Sequence, residues 1–435
     1  MTSLGKVHLM IAFFALSNTG DSAIAATDTW REHRESAAEA IRLHKYQDAK
    51  TELEKALKDA ELNLFQDDRI AESLSDLGRL HAAQGLDYQA EQYFKKALEQ
   101  RDKTLPPTSN AVATNLEELS TSLMEQRKFD QAKPYLERLI DAQKKAVLTT
   151  SDHERLDKAY CRLYVLQREQ HHYAKAKETL ESLLVLRKTW HGENSEQVAD
   201  VHNDLARINK EQHLFSQAAT ELNKALAIRK TLFGAESVSS DKTIDELATL
   251  DLTSGDFKAA RPLYEESLKV RKKLYQNDDP RIAQTLDAIS KCYAMDNKLA
   301  NALDYATQAR SSWELAEGAN SAVVASSCDW IARLKLLQKD LDGAIESSKK
   351  ALSIRETMQG KSTLEVARNL GDLAQLYSKA HHTELAVSTE NQKKEILKKL
   401  LGIEKSPAYE QSSKDYDAIK QKLEKEGPQT RAEDS

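Results

Sequence analysis

Small and apolar residues recur along this chain in a pattern that runs far beyond any single helix. An alanine returns in one phase at Ala49, Ala90, Ala132, Ala176, Ala218, Ala260, Ala302, Ala344 and Ala386, at intervals of 41, 42, 44 and then 42 five times running. Four residues after most of these anchors stands a larger side chain (Leu53, Phe94, Leu136, Leu180, Leu222, Tyr264), and seven after stands a small or apolar one (Ala56, Ala97, Leu139, Leu183, Ala225, Ala309, Ala351). Such spacing traces one face of a helix. A second face lies 16, 13 and 12 residues upstream of the anchors, in sets such as Leu74, Leu77 and Gly78 or Leu370, Leu373 and Ala374. Its third member is small, which lets a neighbouring helix approach closely. Tyr164 breaks that rule, and either wedges its repeat apart or sits where its neighbours are small. Nine copies of helix, turn, helix are predicted. Neither helix of a pair could bury its stripe alone, so the copies must stack on a continuous core.

The segments between the stripes carry their own signals. An aromatic or Leu three residues before the anchor opens the second helix (Tyr46, Phe129, Tyr173, Phe215, Phe257, Leu341). Pro134 and Pro262 fall near its start, where a missing N–H costs least. Gly192, Gly234, Gly318, Gly360 and Gly402 all stand 16 residues after their anchors, and are predicted to close the helix in the left-handed conformation. Gln276 interrupts that run, but Asp279 and Pro280 follow it as an N-cap and a first helical residue. After Gly402 the period lapses: residues 403–427 read as a C-terminal capping helix with Ile419 and Leu423 inward, and 428–435 as a disordered tail.

Composition agrees with an all-α fold, since only 13 Gly and 7 Pro accompany 30% charged residues. The 63 basic and 69 acidic residues are interspersed and leave a net charge of −6, so no extended basic field is offered to nucleic acid. Residues 1–25 differ from the rest: Lys6 precedes an apolar run from Leu9 to Leu16, and Ala23 and Ala25 make a small-x-small pattern. They read as a cleaved signal peptide that exports the chain to the periplasm or beyond, the alternative being a frayed N-terminus on a cytoplasmic protein. The run is shorter than the roughly 20 apolar residues a membrane span needs.

Candidate chemistry dissolves when placed in register. Cys161, Cys292 and Cys328 fall at different heights on first helices, out of disulfide reach. The pairs His171-His172 and His381-His382, with His213, occupy equivalent turns in separate repeats and cannot converge on zinc. A "GDS" at Gly20 to Ser22 lies in the expected leader, and no phosphate-binding loop, HExxH, CxxC or GxSxG is present. The expectation is a non-enzymatic protein with no catalytic residues, no metal and no cofactor.

The "AKPYLE" of Ala132 to Glu137, the "ARPLYEESL" of Ala260 to Leu268, the "RKTLFG" of Arg229 to Gly234 and the "VARNLGDLAQLY" of Val366 to Tyr377 resemble the tetratricopeptide repeat, and the period of 42 resembles its kinesin-light-chain type. The likeness covers about residues 30–402 and assigns 27–402 to a repeat solenoid. It implies a right-handed α-solenoid whose first helices line a concave face that binds a protein or peptide. A kinesin light chain would carry a long coiled coil ahead of its repeats; here a leader and one helix stand there, so a motor-adaptor role is not implied.

Groove-facing positions in such an array precede the anchors by about 18, 15, 14 and 11. They hold an acidic set, Asp76, Glu118, Asp204, Glu246 and Asp372, and a basic set, Arg79, Arg162, Arg207, Lys291, Arg333 and Arg368. These charges either contact a polar or charged peptide or pair along their own helices, as Asp76 with Arg79, Asp204 with Arg207 and Asp329 with Arg333 could. Trp330 is either an exposed contact residue or packs on the neighbouring repeat at Ala288. Arg229 recurs in phase as Arg101, Arg187, Arg271 and Arg355, which points to a structural or convex-surface role. The expected function is a scaffold or adaptor binding a partner protein; the alternative is a structural protein of the cell envelope that self-associates as a homo-oligomer.

Overall fold

A computed structural model describes residues 26–62, 68–145, 150–401 and 407–426. The expected leader and tail lie outside them, as does Gly402. The described chain is helical throughout, with no strand, and divides after Glu193 into two compact units. The N-terminal unit holds four helix pairs: α1 (Ala26–Arg42) with α2 (Tyr46–Leu62), α3 (Arg69–Ala83) with α4 (Asp87–Thr104), α5 (Asn110–Glu125) with α6 (Phe129–Lys145), and α7 (Thr150–Glu169) with α8 (Tyr173–His191). The C-terminal unit holds five: α9 (Glu196–Glu211) with α10 (Phe215–Phe233), α11 (Val238–Ser254) with α12 (Phe257–Leu274), α13 (Pro280–Met295) with α14 (Leu299–Glu317), α15 (Ala322–Leu337) with α16 (Leu341–Gln359), and α17 (Leu364–Lys379) with α18 (Thr383–Leu401). A last helix, α19 (Pro407–Glu426), packs on α18.

All nine anchor alanines are fully buried. Their helices share cores with the next pair: Ala260, Tyr264 and Leu268 of α12 join Ile282, Leu286, Ile289 and Cys292 of α13 in one cluster. The small position before the anchor is a real constraint, because a Cβ on Gly78 would stand 2.6 Å from the Phe94 ring. Tyr164 occupies that position in the fourth repeat and is itself buried, with the Arg168 guanidinium over its ring. The three cysteines are free thiols, and burial pushes Cys292 up to about 11.

The turns use two different backbone devices. Five residues before every anchor the chain has positive φ, at His44, Gly85, Arg127, His171, His213, Gly255, Asn297, Lys339 and His381. Seven of these nine are not glycine, so each carries the modest cost of a side chain at positive φ. The histidine pairs singled out in the sequence owe their places to this turn. Sixteen residues after the anchor, Gly234 has φ 84° and ψ 163°, and Gly192, Gly318 and Gly360 are similar. That is a correction to the expected left-handed cap, for positive φ with extended ψ is open essentially to glycine alone. Where the glycine is missing, the second helix stops one residue earlier and leaves in extended conformation, at Leu105 and Tyr275. Pro134 and Pro262 also differ from expectation: each is the sixth residue of its helix, inside rather than at the start. Both are exposed, so water can reach the backbone carbonyl each leaves without a donor. Asp279 caps α13 as expected, accepting from the Arg281 N–H at 2.9 Å ahead of Pro280.

Two substitutions separate the devices. Gly234→Ala is expected to cost more than about 1 kcal/mol of unfolding free energy in urea titrations. Lys339→Gly, at φ 66° on an exposed turn, should leave stability unchanged or raise it by up to about 1 kcal/mol.

Candidate functional site

The recurring arginine eleven residues after the anchor ties second helices to first helices from the inside. In the N-terminal unit Arg101 of α4, 3% exposed, donates to both Asp68 carboxylate oxygens at 3.1 Å and to Ser75 Oγ of α3 at 2.9 Å. Arg187 of α8 grips Asp157 of α7 with two parallel hydrogen bonds of 2.6 and 2.8 Å. In the C-terminal unit Arg229 reaches Glu196 and Asp200 of α9 in its own repeat and, at 2.7 Å, Thr243 Oγ1 of α11 in the next. Arg271 does the same with Asp241 and Asp245 of α11 and Thr285 of α13. Arg355 pairs with Asp329 of α15, which also accepts from Asn369 of α17. In the seventh repeat Trp313 stands in the arginine's place, and its indole Nε1 donates to Asp287 at 2.8 Å. Of the two roles open in the sequence, these arginines take the structural one, four of them buried.

The first-helix face of the N-terminal unit is closed by its own charges. Arg34 of α1 bonds Glu72 and Asp76 of α3 at 2.7 and 2.6 Å. Asp76 also holds Arg79 at 2.8 Å, and Arg79 reaches Glu118 of α5 at 2.5 Å. Arg162 of α7 binds Glu117 of α5 at 2.9 Å. Asp76, expected in the groove, is fully buried among these partners. Burial pushes the Glu118 carboxyl above the usual range despite Arg79, and raises Glu72 likewise against Arg34.

In the C-terminal unit most acids of that face are committed, Asp372 being the exception among the described residues, while several cations are not. Arg271 holds Asp245, Trp313 holds Asp287, Arg355 holds Asp329, and Asn203 donates to Glu246 at 3.1 Å. Asp204 and Arg207 pair along α9 at 3.0 Å. Lys242, Lys291, Arg333 and Arg368 are exposed, and among the described residues none of them makes an ion pair. The expected pairing of Asp329 with Arg333 is absent because Arg355 takes that carboxylate. A cavity of about 190 Å³ beside α15 and α17 is lined by Asp329, Arg333, Ser348, Asp372, Gln375 and Lys379. Desolvation by the surrounding helices, with Asp329 close by, raises the pKa of Asp372 against the pull of Arg333 and Arg368. Burial likewise raises Asp245, Glu246 and Asp287. Trp330 is half-buried: its Nε1 donates to Ser290 of α13 at 2.8 Å and its ring packs beside Ile331 and Ala302, so the neighbouring repeat holds it, two residues along from Ala288.

Sequence reasoning missed Arg34 and Lys242 on these faces. Both fall in register with the groove positions, Arg34 at 15 and Lys242 at 18 residues before the anchor, so the period itself could have found them. Among the described residues no three His, Cys, Asp or Glu side chains are grouped to hold a metal ion, and no helix is long and apolar enough to cross a membrane.

A tetratricopeptide-repeat family model matches residues 69–145 and 242–314, and a second repeat model of this kind, SHNi-TPR, matches 199–236. The matched segments are tetratricopeptide repeats, and the other described helix pairs run in phase with them. Neither family model indicates a catalytic family. BtubC (BKLC) from P. vanneervenii is similar in structure, 20% identical over 52% of this chain and 88% of that one, with a TM-score of 0.41. So are the nearly identical TPR-like repeats of a putative kinesin light chain from Podosopora anserina, 17% identical over 46% and 95%, TM-score 0.42. The apo form of RapI is 11% identical over 82% and 99%, TM-score 0.47. No curated protein matches the chain.

The buried arginines of these repeats should be worth more than surface pairs. Arg271→Met is expected to cost about 3–5 kcal/mol in denaturant unfolding, since it strands Asp241, itself 3% exposed. Arg355→Met should cost less, because its carboxylate partner is reached by water.

Proposed function

We propose that this chain is a tetratricopeptide-repeat interaction scaffold, and that the first helices of its C-terminal unit bind an extended acidic segment of a partner protein. Tetratricopeptide folds generally serve as protein-binding scaffolds. The observation that carries the finer reading is the asymmetry of charge commitment. Arg34, Arg79 and Arg162 of α1, α3 and α7 spend their charge on Glu72 and Asp76 of α3 and Glu117 and Glu118 of α5. On α11, α13 and α15 Asp245, Asp287 and Asp329 are held by inward groups, while Lys242, Lys291, Arg333 and Arg368 face solvent together with one carboxylate, Asp372 of α17. The net field along that second face favours anions. Asp76, Arg79 and Arg162 then serve the frame of the N-terminal unit, Asp204 and Arg207 flank the binding face as a pair, and Asp372 sets the affinity through its own charge. Trp330 holds α13 to α15 and offers the rim of its ring to a bound chain. The leader pattern at 1–25 supports export, so the partner belongs to the periplasm or the exterior; N-terminal sequencing of the mature chain starting at Ala26 or Thr27 checks this, and an intact Met1 overturns it.

Fluorescence anisotropy with short Glu/Asp-rich and Lys-rich peptides tests the binding reading. The acidic peptide should bind and weaken as salt rises, and Lys291→Ala, Arg333→Ala and Arg368→Ala should each lower affinity about 3- to 10-fold, while Arg162→Ala leaves it unchanged. Equal binding of both peptides, or indifference to all three substitutions, would remove the reading.

The pH dependence has a definite sign. Burial raises the pKa values of Asp245, Glu246, Asp287 and Asp372, so as the pH falls from neutral towards the ordinary carboxylate range they begin to lose charge ahead of their unperturbed counterparts in the peptide. The face becomes more positive, and acidic-peptide affinity should rise over that interval.

A further inference from the structure

In most repeats the seam with the next sets an apolar or aromatic residue, four after the anchor, against the first helix that follows. Position thirteen before the anchor on that helix is Leu or Ile in repeats two to nine: Leu77, Leu119, Leu163, Leu205, Leu247, Ile289, Ile331 and Leu373. Extending the phase by one period places α19 as the first helix of a tenth repeat. Its seam with α18 breaks the rule on both sides. Glu390 stands four after Ala386, where Leu, Phe or Tyr is usual, and Lys393 stands seven after, where other repeats carry Ala, Leu or Ser. On α19, Ser412 takes the place of a core Leu or Ile and Asp415 takes the Leu/Ile position.

These four meet. Ser412 Oγ donates to Glu390 Oε1 at 2.5 Å, and Lys393 Nζ lies 2.8 Å from the same oxygen and 3.8 Å from Asp415. Ser412 is 0% and Glu390 1% exposed, so the contact is buried although it is polar. Around it, Lys394 Nζ sits 4.6 Å from the Tyr416 ring centroid, and Ile419 touches the cluster of Leu373, Leu376, Tyr377 and Ala386. A seam made this way has two properties. Undocking it exposes groups that water solvates well, so the open state is less costly than at an apolar seam. Redocking demands a helix whose hydroxyl and carboxylate answer Glu390 and Lys393, which excludes generic amphipathic helices.

A second copy of the chain carries just such a helix, and only residues 402–406 lie between α18 and α19. We infer that the α18 seam is an exchange site, in which α19 of one molecule docks on Glu390 and Lys393 of another to form a helix-swapped dimer. This stands apart from the acidic-segment reading, because it uses different residues on a different surface.

A charge-exchange pair tests it on the full chain. Lys393→Glu alone and Asp415→Lys alone each mismatch the seam, both within a molecule and between like molecules. Mixed together they match at both seams of a swapped dimer: the two substituted side chains face each other with opposite charge at one, and the retained Lys393 and Asp415 face each other at the other. Light scattering after size exclusion should show each variant as a monomer and the equimolar mixture as a one-to-one dimer, with a dissociation constant at least about tenfold below that of either alone. The double variant should behave as the natural chain does. A mixture that remains monomeric while the double variant recovers native unfolding overturns the proposal, since the charges would then read the seam only within one molecule. Should a single variant fail to fold, the unsubstituted chain supplies the second measurement. Its concentration-dependent dimer should disappear in the apolar variant Glu390→Leu, Lys393→Ala, Ser412→Leu, Asp415→Leu; a dimer that persists there, or none at all in the natural chain at millimolar concentration, also overturns it.

Discussion

A guanidinium buried between two helices is the interaction on which the rest of this molecule depends. An array of helix pairs could be held by apolar stripes alone, but the stripes fix only that helices touch, not their rotation or height. Arg229 and Arg271 each hold carboxylates on their own first helix and one threonine hydroxyl on the next, so two successive repeats share one rigid fork of donors. Removing the charge from water is expensive, and only the paired acids make it tolerable. Specific geometry is the return. Trp313 supports the same view from a different chemistry, since one indole N–H on Asp287 at the same register meets the same requirement without a charge.

That arrangement determines what is left for a ligand. Carboxylates on the first helices of the C-terminal unit look, in sequence, like half of a mixed-sign groove. In the folded chain Asp245 and Asp329 answer arginines arriving from the second helices, and the lysines and arginines beside them are left facing solvent. The N-terminal unit resolves the same composition oppositely, through pairs that run from one first helix to another, Arg34 to Asp76 and Arg79 to Glu118. Similar sets of charges thus give one face that is internally neutral and one that is not. The difference is a matter of which partner lies within hydrogen-bonding reach, and composition has no access to it.

Legibility in the sequence divides along the same line. The period, the nine pairs, the buried anchors and the small position typified by Gly78 were readable because each is a constraint repeated at every turn of the array. The position five before the anchor was only half readable. Its demand for positive φ is mild enough that His, Arg, Asn and Lys satisfy it, so the histidines looked like chemistry when they were backbone. The stricter geometry at Gly234 left a clean glycine signal, although its conformation is extended in ψ rather than left-handed. Charge pairs were least readable. Arg79 has Asp76 three residues away and Glu118 thirty-nine away, and it binds both; spacing along one helix discloses the first and is silent about the second.

Departures from the period carry the remaining information, and they are not scattered. Sixteen residues before the anchor the interior repeats mostly place Leu or Ile, but the first repeat of each compact unit places a histidine, His33 and His202. Each meets a glutamate three residues after its own anchor, at 2.6 Å: His33 with Glu52 and His202 with Glu221. Both glutamates are held below the usual carboxylate range, Glu52 by Lys55 and then His33, Glu221 by His202 and Lys224 against the opposing effect of burial. At the far end of the C-terminal unit the same position is Ser412, again bonded to a glutamate, Glu390. A fully apolar stripe can pair with any hydrophobic surface that meets it. Replacing one core leucine by a hydrogen-bonded polar side chain lowers that hazard while keeping the helix in register. The polar seam at α18 follows the same logic, for a contact read by charge can be selective about what it admits.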